Sequence, residues 1–335
     1  MNTLVKKITA ESLALAKELI ESEQLVAFPT ETVYGLGALA TSENAIKKVY
    51  EVKGRPSDNP LIVHVHKDYD LSALVEVEKN GYAERIAKAF IPGPLTMVYK
   101  SKKTVAPSLS CGLETLAVRV PQSKEAQEFL TFVNQPIAAP SANISKHISP
   151  VTAEHVYQDF NGAIPLILDG GKCVGGIEST VLDVTGSIPV ILRKGLITAE
   201  MIKEVVGACE YAEETATAKA KSPGMKYSHY TPNCSTALFE REQVEEAIKL
   251  YEEIELSGKK AVFLADEEMA VKLGNKRILH LGKTDEEMAS NLYDLLHEGE
   301  AYDCIITFKL KLDSELMLSV NNRFSKAFFK AENKK

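Results

Sequence analysis

The chain has 335 residues, 45% hydrophobic and 25% charged, which is typical of a globular protein long enough for two domains. Its 39 Lys and Arg against 46 Asp and Glu give a net charge of −7, and this disfavours a broad nucleic-acid-binding surface, which needs clustered cations. Residues 1–24 show helical spacing interrupted by acids rather than the apolar core of a signal peptide, and no run of about 18 apolar residues predicts a membrane span. The five cysteines are odd in number and lack C-x-x-C spacing, so we predict free thiols in a cytoplasmic protein, without a disulfide framework or a structural metal.

The first 206 residues begin with alternating helix and strand patterns and then become rich in strands. Helical spacing occurs at residues 12–20, 44–52 and 82–90. Short apolar runs that predict strands occupy residues 25–28, 61–65, 95–99, 116–120, 137–139, 166–168, 180–184 and 190–192. Because the later strands are not each followed by a helix, the pattern predicts a mixed sheet rather than a purely parallel one.

A change in composition near Ala208 marks the end of this first region. Residues 213–221 are small, polar and repetitive, as in a linker, whereas residues 222–232 (SPGMKYSHYTP) combine turn formers with aromatic side chains. Predicted strands then alternate with predicted helices, at residues 236–239, 244–255, 261–264, 267–273, 277–281, 285–298, 304–307 and 315–329. We therefore predict domains at residues 1–206 and 233–335, joined by a linker at residues 207–232.

The motif FPTETVYGLGALA, residues 28–40, places hydroxyl groups on a loop after a strand. Thr30, Thr32 and Tyr34 supply these hydroxyls. Gly35 and Gly37 superficially match a dinucleotide-binding fingerprint, but that fingerprint has its first glycine directly after the strand and an acid about 20 residues further on. Here PTETVY intervenes, so the glycines indicate a tight turn with close helix packing.

A Gly/Pro-rich loop between a predicted helix and a predicted strand carries Lys53, Arg55 and Asn59. Two cations two residues apart suit a triphosphate, because a guanidinium makes forked contacts with phosphate oxygens. A solvated basic loop would show the same pattern. His64 lies in an apolar strand, where a single histidine is more often a packed residue than a ligand.

Arg119 lies inside another apolar strand. Since burying an unpaired charge is very unfavourable, Arg119 must have a partner. A structural carboxylate and an anionic ligand both satisfy this requirement, and the pattern does not distinguish them.

Small and hydroxyl residues follow further strands. Ser141, Asn143 and Ser149 lie in PIAAPSANISKHISP, where small residues allow close backbone approach to a ligand. GGKCVGGIESTVLDV contains Ser179 but no P-loop, and ILRKG places Arg193 at a strand end. No G-x-S-x-G or H-E-x-x-H motif occurs. Cations and hydroxyls on loops, without an obvious nucleophile, favour an enzyme that positions ATP beside a second small substrate.

These motifs, in this order, resemble the YrdC-domain family and, within it, the long two-domain threonylcarbamoyl-AMP synthases. The matching strings are FPTETVYGLG, KGRPSDNPL, PGPLT, LAVRVP, APSANIS, GGIESTVLDV and ILRKG, with SPGMKYSHYTP similar to the segment before the extra C-terminal domain. Lys146 departs from the glycine that the family often has there. The resemblance implies an α/β fold, with a YrdC-like twisted mixed open sheet with helices and a smaller C-terminal Rossmann-like βαβ domain.

The resemblance also implies a reaction: L-threonine, bicarbonate or CO2 and ATP give L-threonylcarbamoyl-AMP and pyrophosphate, the first step of tRNA threonylcarbamoyladenosine modification. Mg²⁺ would accompany ATP, and downstream threonylcarbamoyl transferase proteins acting on tRNA would be partners. One alternative is a nucleotide- or RNA-binding module of this fold without synthase activity. Another is the carbamoyl-adenylate chemistry of hydrogenase maturation proteins, but their acylphosphatase-like and zinc-finger regions have no counterpart here.

The resemblance assigns site residues in three groups. The catalytic group is Lys53, Arg55, Ser141 and Asn143. The L-threonine group is Thr32, His64, Arg119, Ala139 and Ser179. The ATP group is Arg55, Asn59, Thr115, Ser141, Ser149, Arg193, His229 and Tyr230. Arg119 would meet the α-carboxylate of threonine, which favours a ligand anion as its partner. Residues 222–232 would fold over the cleft as a lid, unless their aromatic side chains only pack the two domains together.

Overall fold

The computed structural model describes residues 2–77, 81–212 and 230–332, with side chains up to residue 328. Among them, residues 2–145, 149–174 and 178–212 form one compact unit, and residues 146–148, 175–177 and 230–332 form a second. No helix in the described ranges has the length and apolarity that a membrane crossing requires.

The first unit is built on one eleven-stranded sheet in the order β1-β8-β2-β3-β7-β4-β6-β5-β9-β10-β11. The strands are β1 (Leu4–Lys7), β2 (Val26–Phe28), β3 (Gly35–Leu39), β4 (Ile62–His64), β5 (Leu95–Lys100), β6 (Thr115–Arg119), β7 (Ile137–Ala138), β8 (Leu166–Asp169), β9 (Thr180–Asp183), β10 (Val190–Arg193) and β11 (Glu210–Tyr211). The helices are α1 (Ala10–Glu21), α2 (Glu43–Lys53), α3 (Tyr82–Phe90), α4 (Pro107–Ser110), α5 (Lys124–Val133), α6 (Ala153–Phe160) and α7 (Ala199–Val206). Parallel pairs such as β4 with β6 and antiparallel pairs such as β5 with β6 occur together, which confirms the mixed sheet.

One face of this sheet is covered by α1 and α5. Leu13 and Ile20 of α1 and Phe129 of α5 pack with Phe28 of β2 and Leu166 of β8 in one buried cluster. These residues are at most 8% exposed, so the hydrophobic effect holds both helices on the sheet. The same packing fixes β2, whose carboxyl end leads into the loop of residues 29–34, called the threonine-rich loop below.

The structure corrects the interpretation of Gly35 and Gly37, which lie in strand β3 rather than in a tight turn. A Cβ at Gly37 would lie 3.1 Å from the Phe28 ring and 3.0 Å from the Val26 carbonyl oxygen. The glycines therefore make room for the Phe28 ring above an antiparallel strand pair. Glycine is poor in strands generally, which is why the sequence pattern did not indicate one.

Other elements also differ from the predictions. Strand β1 lies in a stretch whose spacing suggested only a helix, and α4, α5, α6 and α7 were not predicted. Strand β11 lies inside the predicted linker 207–232 and pairs with β10, so the first sheet continues beyond residue 206. Edge strands this short leave little periodic signal.

The second unit contains a four-stranded parallel sheet in the order β12-β15-β13-β14, which confirms the predicted βαβ domain. Its elements are β12 (Ser235–Phe239), α8 (Val244–Leu256), β13 (Ala261–Asp266), α9 (Glu267–Leu273), β14 (Ile278–Gly282), α10 (Asp285–Gly299), β15 (Cys304–Phe308) and α11 (Glu315–Glu332). Stacked rings of Tyr251, Phe263 and Phe308 form part of its core.

Two short segments from earlier in the chain belong to this second unit. The Lys146 carbonyl accepts a hydrogen bond from the Thr231 amide at 3.0 Å. Gly176 has a φ of +68°, and a Cβ there would lie 2.2 Å from the Ala289 carbonyl oxygen. Only glycine fits this position, because both the backbone conformation and the close approach exclude a side chain.

Candidate active site

Three of the four predicted catalytic residues come together around the end of α2. Lys53 is the last residue of that helix and is only 2% exposed. Its Nζ donates to the Ser141 carbonyl at 2.6 Å and to the Asn143 carbonyl. The Ser141 hydroxyl in turn donates to Asn143 Oδ1 at 2.5 Å. Burial, and then the nearby charge of Arg55, hold the pKa of Lys53 well below its usual range.

Gly54 turns the chain between the two cations of the loop. It ends α2 with a φ of +57°, a left-handed conformation that glycine adopts without strain. Arg55 then donates from Nε to the Asn59 carbonyl at 3.3 Å and from Nη2 to the Pro60 carbonyl at 3.2 Å. Burial lowers the pKa of Arg55 to about 10. These carbonyls orient the guanidinium and carry no formal negative charge, and the same holds for the carbonyl partners of Lys53.

Asn59 lies beside Arg55 and is almost completely buried. Its Oδ1 has no hydrogen-bond partner, although its backbone carbonyl accepts from both Arg55 and Tyr50. A buried amide oxygen without a donor is costly, so this atom is suited to receive one from a ligand.

Arg119 has a structural carboxylate as a partner, one of the two kinds of partner that the strand pattern left open, whereas the resemblance favoured a ligand anion. Its Nη2 donates to Glu31 Oε1 at 2.7 Å, and both side chains are buried. Arg119 Nε is buried without a hydrogen-bond partner. The sequence analysis missed Glu31, although a carboxylate between two threonines at the end of a buried strand was a visible signal for it.

His64 lies next to Arg119, because the two residues are register partners in β4 and β6. Its ring is 4% exposed and packs edge-on to Phe28 at a centroid distance of 6.0 Å. Nδ1 lies 3.3 Å from the Ile62 carbonyl, which also accepts from the Ala139 amide. Burial first and then the charge of Arg119 lower the pKa of His64 to about 3, so the imidazole is neutral at physiological pH.

Two further residues predicted to bind threonine, Thr32 and Ser179, have hydroxyl groups that are buried. Thr32 Oγ1 lies 2.9 Å from Thr30 Oγ1, and both side chains are buried. Ser179 Oγ lies 2.8 Å from Thr96 Oγ1. Arg193 Nη2 donates to the Ser179 carbonyl at 2.9 Å and to its Oγ at 3.2 Å. The structure therefore joins Arg193 of the predicted ATP group to Ser179 of the predicted threonine group.

The remaining predicted ATP residues are more dispersed. Thr115 begins β6, about 13 Å along the strand from Arg119 at 3.3 Å per residue. Ser149 donates from its hydroxyl to Glu178 Oε1 at 2.7 Å. Tyr230 is 6% exposed in the second unit, with its ring 5.2 Å from that of Tyr293. His229 and most of the proposed lid segment lie outside the described residues, so the lid and the ATP contacts of His229 and Tyr230 stay predictions.

The chemistry open to this site is binding and charge stabilisation. In the ranges that the structure describes, no three His, Cys, Asp or Glu side chains gather as metal ligands. All five cysteines are free, as predicted. Burial raises the pKa of Cys173, near the threonine-rich loop, to about 12, so this thiol is a poor nucleophile. The site presents oriented basic side chains, hydroxyls and a neutral imidazole, groups that can bind anions and stabilise developing negative charge.

Two family models match this chain. The Sua5–YciO–YrdC family model, described as telomere recombination, matches residues 18–195. The model described as the C-terminal domain of threonylcarbamoyl-AMP synthase matches residues 197–328.

Relatives of similar length match nearly the whole chain. The threonylcarbamoyl-AMP synthase of Pyrococcus abyssi is 40% identical, with 96% of this chain and 95% of that protein covered. The synthase of Bacillus subtilis is also 40% identical, with 94% and 92% covered. The crystal structure of P. abyssi Sua5 complexed with L-threonine superposes with a TM-score of 0.87 at 38% identity, covering 98% of both chains. The chain therefore belongs to the two-domain threonylcarbamoyl-AMP synthase family.

Proposed function

We propose that this chain synthesises L-threonylcarbamoyl-AMP from L-threonine, bicarbonate or CO2 and ATP, with release of pyrophosphate. The observation that carries the proposal is the buried cluster of Lys53, Ser141 and Asn143 beside Arg55. Backbone carbonyls orient both basic side chains, and the negative charge of bound ATP phosphates would favour the protonated form of Lys53. The names of the full-length relatives and the threonine bound to the P. abyssi protein support the same reaction.

The reaction needs two bond-forming steps. The threonine ammonium loses one proton, the neutral amine attacks the carbon of CO2, and a second proton leaves the nitrogen for water to give a carbamate, while one C=O π pair becomes the carboxylate lone pair. A carbamate oxygen then attacks the α-phosphorus of ATP, the bond from the α-phosphorus to the bridging oxygen breaks, and pyrophosphate leaves with that electron pair. Lys53 and Arg55 stabilise the negative charge that develops on the phosphate oxygens, and Ser141 and Asn143 orient the reacting groups.

Mg²⁺ enters this proposal with ATP rather than as a resident ion. A magnesium ion is commonly held by substrate phosphates and water with few protein ligands, which fits a site without a cluster of carboxylates among the described residues. When bound, it would neutralise charge on the phosphates.

Threonine is assigned to the side of the site around Arg119. The guanidinium would bind the α-carboxylate through the atoms that Glu31 leaves available. His64, neutral and buried, would offer one ring nitrogen to a polar group of the substrate, and the hydroxyls of Thr32 and Ser179 would meet others. Ala139 supplies a small apolar side chain.

The product is a mixed anhydride that water hydrolyses, so it must be passed on to be useful. We assign its use to threonylcarbamoyl transferase proteins that modify tRNA. The alternative, a nucleotide- or RNA-binding module without synthesis, is not favoured by relatives that are named as synthases across nearly the full chain.

A product assay tests the proposal. The full chain is incubated with radiolabelled bicarbonate, L-threonine and ATP with Mg²⁺, and the adenylate is separated by chromatography. Label is expected in an adenylate only when threonine and ATP are both present, with one pyrophosphate released per labelled product. ATP binding without labelled product would favour the binding module and overturn the synthase.

A further inference from the structure

We infer that Glu31 is a positioning residue that holds Arg119 in place for the substrate carboxylate. This inference rests on the proposed function, in which Arg119 binds the α-carboxylate of threonine. It assigns a role to a carboxylate in the loop after β2 that the reaction itself does not use.

Glu31 is fixed at both oxygens. Oε1 accepts from Arg119 Nη2 at 2.7 Å. Oε2 accepts from the backbone amides of Gln122 at 3.1 Å and Ser123 at 3.4 Å. Ser123 is the N-cap of α5, a ten-residue helix whose positive N-terminal end favours a negative charge. A carboxylate buried to 5% exposure is thus held by a cation on one side and by a helix start on the other.

The pair restricts the positions that the guanidinium can adopt. An arginine side chain has several rotatable bonds, and the contact with Glu31 selects one orientation. In that orientation Nε is buried without a partner, so it is available to a ligand acceptor. Lys53 and Arg55 differ, because backbone carbonyls rather than a carboxylate orient them. The contact with Glu31 therefore holds the Arg119 guanidinium where it can bind the threonine carboxylate rather than the phosphates of ATP.

The contacts of Glu31 make Glu31→Gln an informative substitution. Both carboxylate oxygens accept from N–H groups, whereas an amide can accept only at its oxygen. Whichever way the glutamine turns, its NH2 group faces a donor, either on Arg119 or on the backbone at residues 122 and 123. Glu31→Gln therefore keeps the shape of the side chain but loses the hydrogen bonds made by one of the two carboxylate oxygens.

Calorimetric titration of the full chain with L-threonine, and separately with ATP, tests the inference. We expect Glu31→Gln to weaken threonine binding about tenfold or more and ATP binding by less than about twofold, since only the orientation of the carboxylate-binding group changes. Glu31→Asp keeps the charge one methylene further away and should lie between the parent and Glu31→Gln. Glu125→Gln is the matched control, because Glu125 lines the same 390 Å³ cavity as Glu31 without bonding to Arg119, and it should bind both ligands as the parent does.

A double-substitution cycle separates positioning from a general effect on the fold. If Glu31 acts through Arg119, Glu31→Gln combined with Arg119→Gln should bind threonine no more weakly than Arg119→Gln alone. Additive losses, or an equal loss of threonine and ATP affinity together with a lower melting temperature, would overturn the inference.

The Arg119→Gln arm also tests the assignment on which the inference depends. Should Arg119→Gln weaken threonine binding while Glu31→Gln does not, the positioning role fails and the substrate assignment stands. Should Arg119→Gln leave threonine affinity unchanged, the assignment of Arg119 to the carboxylate fails, and the role of Glu31 fails with it. If Glu31→Gln does not fold, Glu31→Asp and the Arg119→Gln arm still give the comparison of threonine with ATP.

Discussion

Lys53 and Arg55 lie two residues apart on a loop whose geometry Gly54 sets, and their partners among the described residues are backbone carbonyls. We expect Lys53→Ala and Arg55→Ala each to lower the rate of product formation about 30- to 1000-fold, because each removes about 2–4 kcal/mol of stabilisation from developing phosphate charge. Lys47→Ala, on the exposed face of the same helix α2, is the control and should keep the parent rate. Steady-state product assays with matched circular dichroism spectra make the measurement. More than half of the parent activity in either variant would remove that cation from the catalytic group.

His64 gives the site a pH-dependent stability. Its pKa of about 3 in the folded chain lies below the ordinary value of 6.5, so the unfolded chain takes up this proton first as pH falls. Titration of His64 therefore leaves the free energy of unfolding unchanged above about pH 6.5. Between about pH 6.5 and 3 it lowers that free energy by about 1.4 kcal/mol for each unit that the pH falls.

Urea unfolding at about pH 7.5 and about pH 5 measures this effect of His64, and His64→Asn should lose about 2 kcal/mol less stability between the two conditions than the parent does. His66→Asn changes a histidine two residues away whose ring is not buried, and serves as the control. An unchanged pH dependence in His64→Asn would show that the imidazole is not held neutral by burial.

Some site residues could be predicted from the sequence, whereas the pairing of Glu31 with Arg119 could not. Lys53, Ser141 and Asn143 could be grouped before the structure was known, because the motifs around them carry a family pattern. Glu31 could not be paired with Arg119, since 88 residues separate them and nothing in the sequence states that β2 and β6 end close together. Long-range pairing of this kind depends on strand order, which local patterns do not determine.

Among the elements, β9 and β10 connect the fold to the site most directly. A Cβ on Gly195, just beyond β10, would lie 2.3 Å from the Thr180 amide nitrogen and 2.6 Å from the Ser179 carbonyl carbon. We expect Gly195→Ala to displace the start of β9, to destabilise the fold by about 1–3 kcal/mol, and to weaken threonine binding through Ser179.

Thermal denaturation and threonine titration of Gly195→Ala test the prediction for this strand pair. Gly186→Ala is the matched control, because the nearest atom to its Cβ would be the Ile188 carbonyl oxygen at 3.7 Å. Equal melting temperatures for the two variants would mean that the backbone at Ser179 can move away from the new methyl group without destabilising the fold.

The elements that sequence patterns predicted well are those with strong periodicity. Helices α3 and α9 match the predicted residues at both ends, and strands β5 and β9 start at the predicted residues. Strand β3 was missed because GLGAL lacks the branched and aromatic residues that mark strands. Helix α5 was missed although Ser123 caps it and its buried residues recur at helical spacing, so a signal was present there and was not used.

At the scale of the whole molecule, the second unit holds two segments that flank predicted site residues. Residues 146–148 lie between Asn143 and Ser149, and residues 175–177 immediately precede Glu178 and Ser179. A chain ending at Ala212 retains β1 to β11 but loses Thr231, the hydrogen-bond partner of Lys146. We expect this shortened chain to fold and bind ATP, and to make less product than the full chain because these two segments are no longer held.

Limited proteolysis with trypsin checks the reason given for the loss in the shortened chain. Cleavage after Lys146 should be several times faster than in the full chain, since a backbone that opens locally becomes accessible to protease. Equal cleavage rates together with an equal product yield would show that the first unit orders these segments alone.

Strand β1 has a consequence for how the protein is made. It pairs along its length with β8, and the adjacent Thr3 hydroxyl donates to the Ile164 carbonyl, 161 residues later in the chain. A ribosome must therefore add 161 residues after Thr3 before the first of these partners exists. Contacts so distant in sequence form slowly, and until they form Leu4 and Val5 stay on an unpaired strand. During translation, β1 is thus an unpaired strand that a chaperone could cover until β8 is made.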